Sequence, residues 1–342
     1  MEQRKGIERL STVTLDPSFT YQVADIYADP TSFDQRIITA LKARYSSQLN
    51  RLFDELRLEI RHNALMVYTP KFTRHLFPAF VTADSIGEID DGYLSLCKAC
   101  LLGYSLPILA LDDWADQGSP LDSLTLSEGI HSIYSAQVIL HGLPNGEALV
   151  IYLNQVYSQI TESILFELES RYRFIQVDLE TDFEHGYYRS LCGYLSAFVG
   201  ATLLYYNQPI SECMRRYLRL FGVLRQVVDE IADVEEDLSQ GNVTLPFLFA
   251  HQQVNLQGHF QRFWQGRLAF SGIHNILLET GAYEACYAMA MRLYERTCQL
   301  QEELKQEYPR LFPILGMFYD LKLCQLLRIQ RNSWQDNLKK YR

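Results

Sequence analysis

The sequence has no excess of positive charge. Its 342 residues include 31 lysines and arginines against 41 aspartates and glutamates, a formal net charge of −10. A chain this acidic offers no general electrostatic footprint for nucleic acid or for an anionic membrane surface. A phosphate ligand would need a bridging cation or a local basic cluster. Glycine and proline are also scarce, at 18 and 11 residues, which excludes a low-complexity or turn-dominated chain. Disorder is excluded because 48% of the residues are hydrophobic and 13% aromatic. The opening stretch, MEQRKGIERLSTVTLD, has no apolar segment, so no secretory signal is expected. The longest apolar run, Leu191 to Tyr206, is broken by glycines and serines and is short for a bilayer. It reads as a buried core helix, and no membrane span is expected.

Paired cysteines are also missing. Seven occur, at 97, 100, 192, 213, 286, 298 and 324, an odd number set mostly within apolar helical patterns. That pattern predicts reduced, buried thiols in a cytoplasmic protein. Cys97 and Cys100 form one CxxC, but no second pair follows, so the signal for zinc or redox chemistry is weak.

What is present is helical periodicity. Apolar residues recur at spacings of three and four in 33–61, 92–117, 125–141, 146–172, 185–206, 210–239, 244–254, 258–268, 283–306 and 310–331. The breaks fall at Gly118-Ser119-Pro120, at Gly142 to Gly146, at Asn207-Gln208-Pro209 and at Gly241-Asn242. None is long enough to be a linker. These patterns predict an N-terminal segment, 1–30, and one all-α helical-bundle domain over 31–335.

Two acidic clusters stand out. Asp112, Asp113 and Asp116 end an apolar helix, YSLPILALDDWAD. Residues at i and i+4 share a helix face, so Asp112 and Asp116 repel there. Carboxylates are also disfavoured at a helix C-terminus. A bound cation would offset both costs, and hard oxygen ligands suit Mg²⁺. The second cluster places Asp229, Asp233 and Asp237 at i, i+4 and i+8, one stripe two turns long, with Glu236 on it and Glu230 beside it. A solvated acidic face is the plainer reading of such a run. Against it, LFGVLRQVV precedes the run and GNVTLPFLFA follows it, both apolar. The clusters lie 117 residues apart and can face one another across a bundle.

These residues resemble the trans-isoprenyl diphosphate synthase and class I terpene synthase superfamily. Asp112-Asp113-Trp114-Ala115-Asp116 is similar to its first DDxxD motif. Gly222 to Asp233 is similar to G-x-x-F-Q-x-x-D-D-x-x-D, and Asp237 to Pro246 to D-x-x-x-G-K-x-T-L-P. The Asp229, Asp233, Asp237 spacing also matches the N-x-x-x-S-x-x-x-E of terpene cyclases. The likeness covers about residues 70 to 250. It implies an isoprenoid-synthase bundle whose aspartates 112, 113, 116, 229, 233 and 237 hold three Mg²⁺ ions against a diphosphate. Asp112, Asp113 and Arg189 are then the expected catalytic residues. Arg189, Arg225, Gln226, Lys71, Arg74, Tyr104, Phe198 and Phe221 are expected to bind substrate. Arg225 also stands i−4 to Asp229, where a helix salt bridge accounts for it.

The departures have chemical content. The superfamily's chain-extending members carry G-K-R-x-R; here Pro70-Lys71-Phe72-Thr73-Arg74 keeps two of the bases, with Lys71 standing 41 residues before Asp112. No base follows the first motif in Gln117 to Asp122, and Ser105 stands where a histidine is frequent. The allylic diphosphate site therefore reads as intact and the isopentenyl diphosphate site as eroded. That combination implies a class I terpene synthase. It would ionise a linear prenyl diphosphate of fifteen to twenty carbons, then cyclise or rearrange it. Trp114, Tyr104, Tyr187, Tyr194, Phe198 and Phe221 could shield the cation, although aromatic core is the plainer reading of each. The alternative is a trans-prenyltransferase joining an allylic diphosphate to isopentenyl diphosphate or another acceptor. A non-catalytic subunit fits poorly with two intact acid motifs. The partners expected are a prenyl diphosphate and, as an open option, a second copy of the chain.

Overall fold

A computed structural model describes residues 12–16, 19–22, 39, 43–60, 69–117, 123–173, 193–309 and 311. Within these, side chains are not described for the strands or for 69–71, 73–75, 77, 112–117, 123–126, 167 and 193–195. The expected helix over 310–331 lies outside the described residues, as does most of 33–42.

Among the described residues the fold is all-α, with one exception near the N-terminus. Strands β1 (Thr12–Asp16) and β2 (Phe19–Gln22) pair antiparallel, with a register shift between Thr14 and Asp16. The helices are α1 (Ser46–Glu59), α2 (Thr69–Ile86), α3 (Asp91–Cys100), α4 (Leu106–Gln117), α5 (Ser123–His141), α6 (Gly146–Ser170) and α7 (Gly193–Tyr205). They continue as α8 (Glu212–Ala232), α9 (Val234–Ser239), α10 (Leu245–His251), α11 (Gln257–Trp264), α12 (Phe270–Glu279) and α13 (Ala282–Glu307).

Two of these helices, α2 and α12, go beyond the sequence expectation. Helix α2 carries Pro78 in its interior, a residue that ordinarily ends a helical pattern. Burial of Phe72, Leu76, Ala79, Phe80 and Ala83 at helical spacing holds it together.

Helices α3 and α4 form one rod joined by a π turn, Leu101–Ser105, where the Leu106 N–H reaches the Leu101 carbonyl. Pro107 explains the wider turn. It has no N–H to give, and in α geometry its ring would collide with the carbonyl four residues earlier. Asp90 starts the rod as N-cap, its Oδ1 accepting from Tyr93 N at 2.7 Å and from the Tyr205 hydroxyl at 2.8 Å. Asp91 to Leu111 is apolar and long enough to cross a membrane by length and composition, yet 72% of its apolar window is buried in the core. This stretch, rather than 191–206, is the longest apolar helix among the described residues. Helix α5 packs on the π turn so closely that a Cβ on Gly103 would lie 2.3 Å from that of Ala136.

One core joins α1 through α7, with Tyr104 and Phe198 among its buried members. A second links α7, α8, α10 and α13 and contains Phe221. A third lies under α9 to α12. No disulfide joins the described cysteines: Cys97, Cys100 and Cys286 are buried, as expected, whereas Cys213 and Cys298 are half-buried. Burial pushes the Cys97 thiol up to about 12 and holds that of Cys100 well above its ordinary range, so the CxxC is inert packing.

Candidate active site

Both acid clusters sit where helices end. Asp112, Asp113 and Asp116 fall in the last two turns of α4, as the sequence suggested; their side chains lie outside the described residues. Asp229 is in the last turn of α8.

The expectation of one continuous helix over 210–239 is corrected at Asp233. There the backbone leaves helical geometry (φ −107°, ψ 19°), so Asp233 closes α8 and opens α9. The stripe nevertheless survives the bend. Asp233 N donates to Asp229 O at 3.0 Å, and Asp237 N donates to Asp233 O at 2.9 Å. The break brings an electrostatic gain, since Glu235, Glu236 and Asp237 now occupy the first turn of α9, at the positive end of its peptide dipoles.

Arg225 Nε pairs with Asp229 Oδ2 at 3.3 Å, both side chains little more than a third exposed. This is the i,i+4 bridge its spacing implied. Gln226 donates to Glu230 Oε1 at 3.3 Å. Glu230 has a role that spacing alone did not reveal. It is only 5% exposed, and its Oε2 accepts the Leu245 N–H at 2.8 Å, tying α8 to the first residue of α10. The same carboxylate helps to raise the thiol of Cys286, after burial itself.

Tyr104 sits in the π turn with its ring stacked on Tyr157, centroids 4.3 Å apart. Its hydroxyl donates to Asn154 Oδ1 at 3.1 Å and accepts from Gln137 Nε2 at 3.2 Å. Burial raises this phenol above its ordinary range, so it remains a neutral donor. Phe198 and Phe221 are buried, in the first and second cores respectively. Lys71 and Arg74 lie near the start of α2 with side chains outside the described residues, and Arg189 falls wholly outside them.

Among the described residues no group of three or more His, Cys, Asp or Glu is already gathered to hold a metal ion. The donor chemistry of the second cluster still fits Mg²⁺: Asp229, Asp233 and Asp237 are hard oxygen donors at intermediate or exposed positions, one per turn.

No protein-family model matches the sequence, and no curated protein matches it either. Solved structures do. A polyprenyl synthase from Roseobacter denitrificans superposes with a TM-score of 0.63 at 14% identity, covering 86% of this chain and 99% of that one. A decaprenyl diphosphate synthase from Rhodobacter capsulatus gives 0.65 at 16% identity, with 85% and 99% covered. A geranylgeranyl pyrophosphate synthase from Corynebacterium glutamicum, complexed with calcium and isoprenyl diphosphate, gives 0.63 at 14% identity, with 85% and 98% covered. The chain therefore has the all-α fold of the isoprenoid synthases.

Proposed function

We propose that the protein is a divalent-metal-dependent trans-prenyltransferase that condenses an allylic prenyl diphosphate with isopentenyl diphosphate or another acceptor. The observation that carries this reading is the pair of acid-bearing helix ends, on α4 and at the α8–α9 joint, within this fold. The names of the three neighbours above, a polyprenyl synthase, a decaprenyl diphosphate synthase and a geranylgeranyl pyrophosphate synthase, support transfer over cyclisation. In this proposal Asp112, Asp113, Asp116, Asp229, Asp233 and Asp237 hold Mg²⁺. Bound there, Mg²⁺ neutralises the charge that builds on a departing diphosphate. Arg189 would bind the leaving diphosphate, with Lys71, Arg74, Arg225 and Gln226 as further contacts. The buried rings of Tyr104, Phe198 and Phe221 supply apolar surface that keeps water from an allylic cation.

A second reading, a terpene synthase, rests on the bases missing from Gln117 to Asp122 and from the G-K-R-x-R position. One assay separates the two. Purified protein is incubated with Mg²⁺ and allylic diphosphates of ten, fifteen and twenty carbons, with and without isopentenyl diphosphate. A longer diphosphate formed only in the presence of isopentenyl diphosphate is the expected result. Hydrocarbon released from a single allylic substrate would overturn transfer and establish the cyclase.

A second copy of the chain is proposed as partner, seated on α5 and α6. Ser132, Ala136 and Leu140 of α5 face the core, while Ile130, Tyr134 (69% exposed) and Val138 (75%) form an apolar stripe at the surface. Between 129 and 161 the only Asp, Glu, Lys or Arg is Glu147, in a chain that is 21% charged. A face without charge lets two copies of a −10 chain approach, because on a two-fold axis each charge would meet its own image. Light scattering should give twice the chain mass for the wild type and a smaller mass for Tyr134→Asp/Val138→Asp. A wild-type monomer at micromolar concentration would overturn this.

A further inference from the structure

Helix α9 is only six residues long, Val234–Ser239, yet it carries Asp237. A helix this short does not hold itself together, and the non-helical backbone at Asp233 separates it from α8. Its position is set from outside. Leu238, fully buried, anchors it in the third core. The Leu238 carbonyl accepts two donors: Gly241 N at 3.1 Å, from its own turn, and Trp264 Nε1 at 2.7 Å, from the end of α11. The Trp264 ring also meets Tyr172 edge-on, centroids 5.2 Å apart. Tyr172 holds the residues that follow α9, its N–H donating to the Gly241 carbonyl at 2.8 Å. Beside it, Arg171 Nε donates to Asn242 Oδ1 at 3.1 Å. Two left-handed backbones permit this closeness. Gly241 has φ +91°, and a Cβ there would lie 2.8 Å from the Tyr172 ring, so glycine is required twice over. Tyr172 has φ +56°, a costly value for a bulky residue that persists only where the surroundings impose it. The indole of Trp264 thus links the end of α6 to the end of α9.

We infer that Trp264 is a positioning residue for Asp237, acting through the Leu238 carbonyl, and so sets the metal affinity of the second acid cluster. The inference rests on the function proposed above and adds a residue from two helices further along the chain. The aspartates of the stripe have different supports. Asp229 lies on α8, a 21-residue helix that shares a core with α13. Asp237 lies beyond the bend and is joined directly to Leu238. Its distance from Asp229 therefore follows the placement of α9, which the indole bond at Leu238 helps to fix. Mg²⁺ demands near-ideal geometry of its oxygen ligands. A shift of α9 would thus weaken metal binding with every acid still present. The indole N–H only donates, so phenylalanine at 264 keeps a ring against Tyr172 and removes that donor alone.

The test uses inorganic diphosphate with Mg²⁺, titrated calorimetrically into the full-length protein, alongside prenyl diphosphate turnover. Trp264→Phe is expected to bind Mg-diphosphate about fivefold more weakly. Asp237→Asn also weakens binding, and adding Trp264→Phe to it should cost less than about twofold more, because the carboxylate being positioned is gone. A loosened fold would cost the same factor in both backgrounds. If the wild type binds and Trp264→Phe binds equally well, or if its factor is undiminished beside Asp237→Asn, this assignment falls and the proposed function stands. If the wild type neither binds Mg-diphosphate nor turns over any prenyl diphosphate, both fall. Should Trp264→Phe melt early, Tyr172→Asn decides, since asparagine accepts the left-handed backbone and withdraws only the ring that backs the indole. Weakened binding that disappears beside Asp237→Asn supports the assignment, and wild-type binding overturns it.

Discussion

Asp229→Ala is expected to lower kcat/KM for a prenyl diphosphate at least about a hundredfold, and Asp112→Ala to do the same. Neither should change the helical content. Asp229 is partly exposed, and its bridge to Arg225 is the surface kind worth about 0–1 kcal/mol. Its carboxylate thus contributes little to stability, while under the proposed function it places a metal ion against the leaving group. Raised Mg²⁺ should recover part of the activity of Asp229→Ala, because Asp233 and Asp237 still stand one and two turns along. Steady-state kinetics over a Mg²⁺ series, with circular dichroism as the folding control, checks both points. Full activity in both variants would show that the acids do not serve the reaction.

Glu230, the next residue, should show the opposite pattern. Its carboxylate is buried and accepts the first N–H of α10. Alanine there leaves that N–H without its partner in a dry site and opens a cavity, at a combined cost of about 2–4 kcal/mol. Glutamine retains an acceptor oxygen and should cost less than half as much. Urea unfolding midpoints measure both. A Glu230→Ala protein as stable as the wild type would mean that the Leu245 bond is dispensable. Adjacent carboxylates are thus expected to separate into one that matters for turnover and one that matters for stability.

That separation shows what could be read from the chain alone. The all-α class, most helix positions and the place of the first acid cluster at a helix end follow from spacing, because a period of three to four is a local property of sequence. The role of Glu230 is not local, since it depends on where α10 returns fifteen residues later. The bend at Asp233 also escapes spacing, because the i, i+4, i+8 pattern is the same whether or not one residue leaves helical geometry. Helix α2 was obscured by Pro78, whose local penalty is outweighed by the burial of Phe72, Leu76 and Phe80. The link from Arg171 to Asn242 joins residues 71 apart through backbone geometry that residue types only hint at, in Gly241. Lys71, Arg74 and Arg189 remain expectations.

The π turn at Leu101–Ser105 bears on how such a site can be altered. It accommodates one residue more than an α-helix would, and so rotates the rod beyond it by about 100° relative to the rod before it. Upstream lie the anchors that seat the rod, Tyr93 and Cys97 among them; downstream lie Asp112, Asp113 and Asp116. The two halves are indexed to each other only through these five apolar or small residues. A one-residue deletion there would preserve every acid and every anchor, yet turn one set out of step with the other.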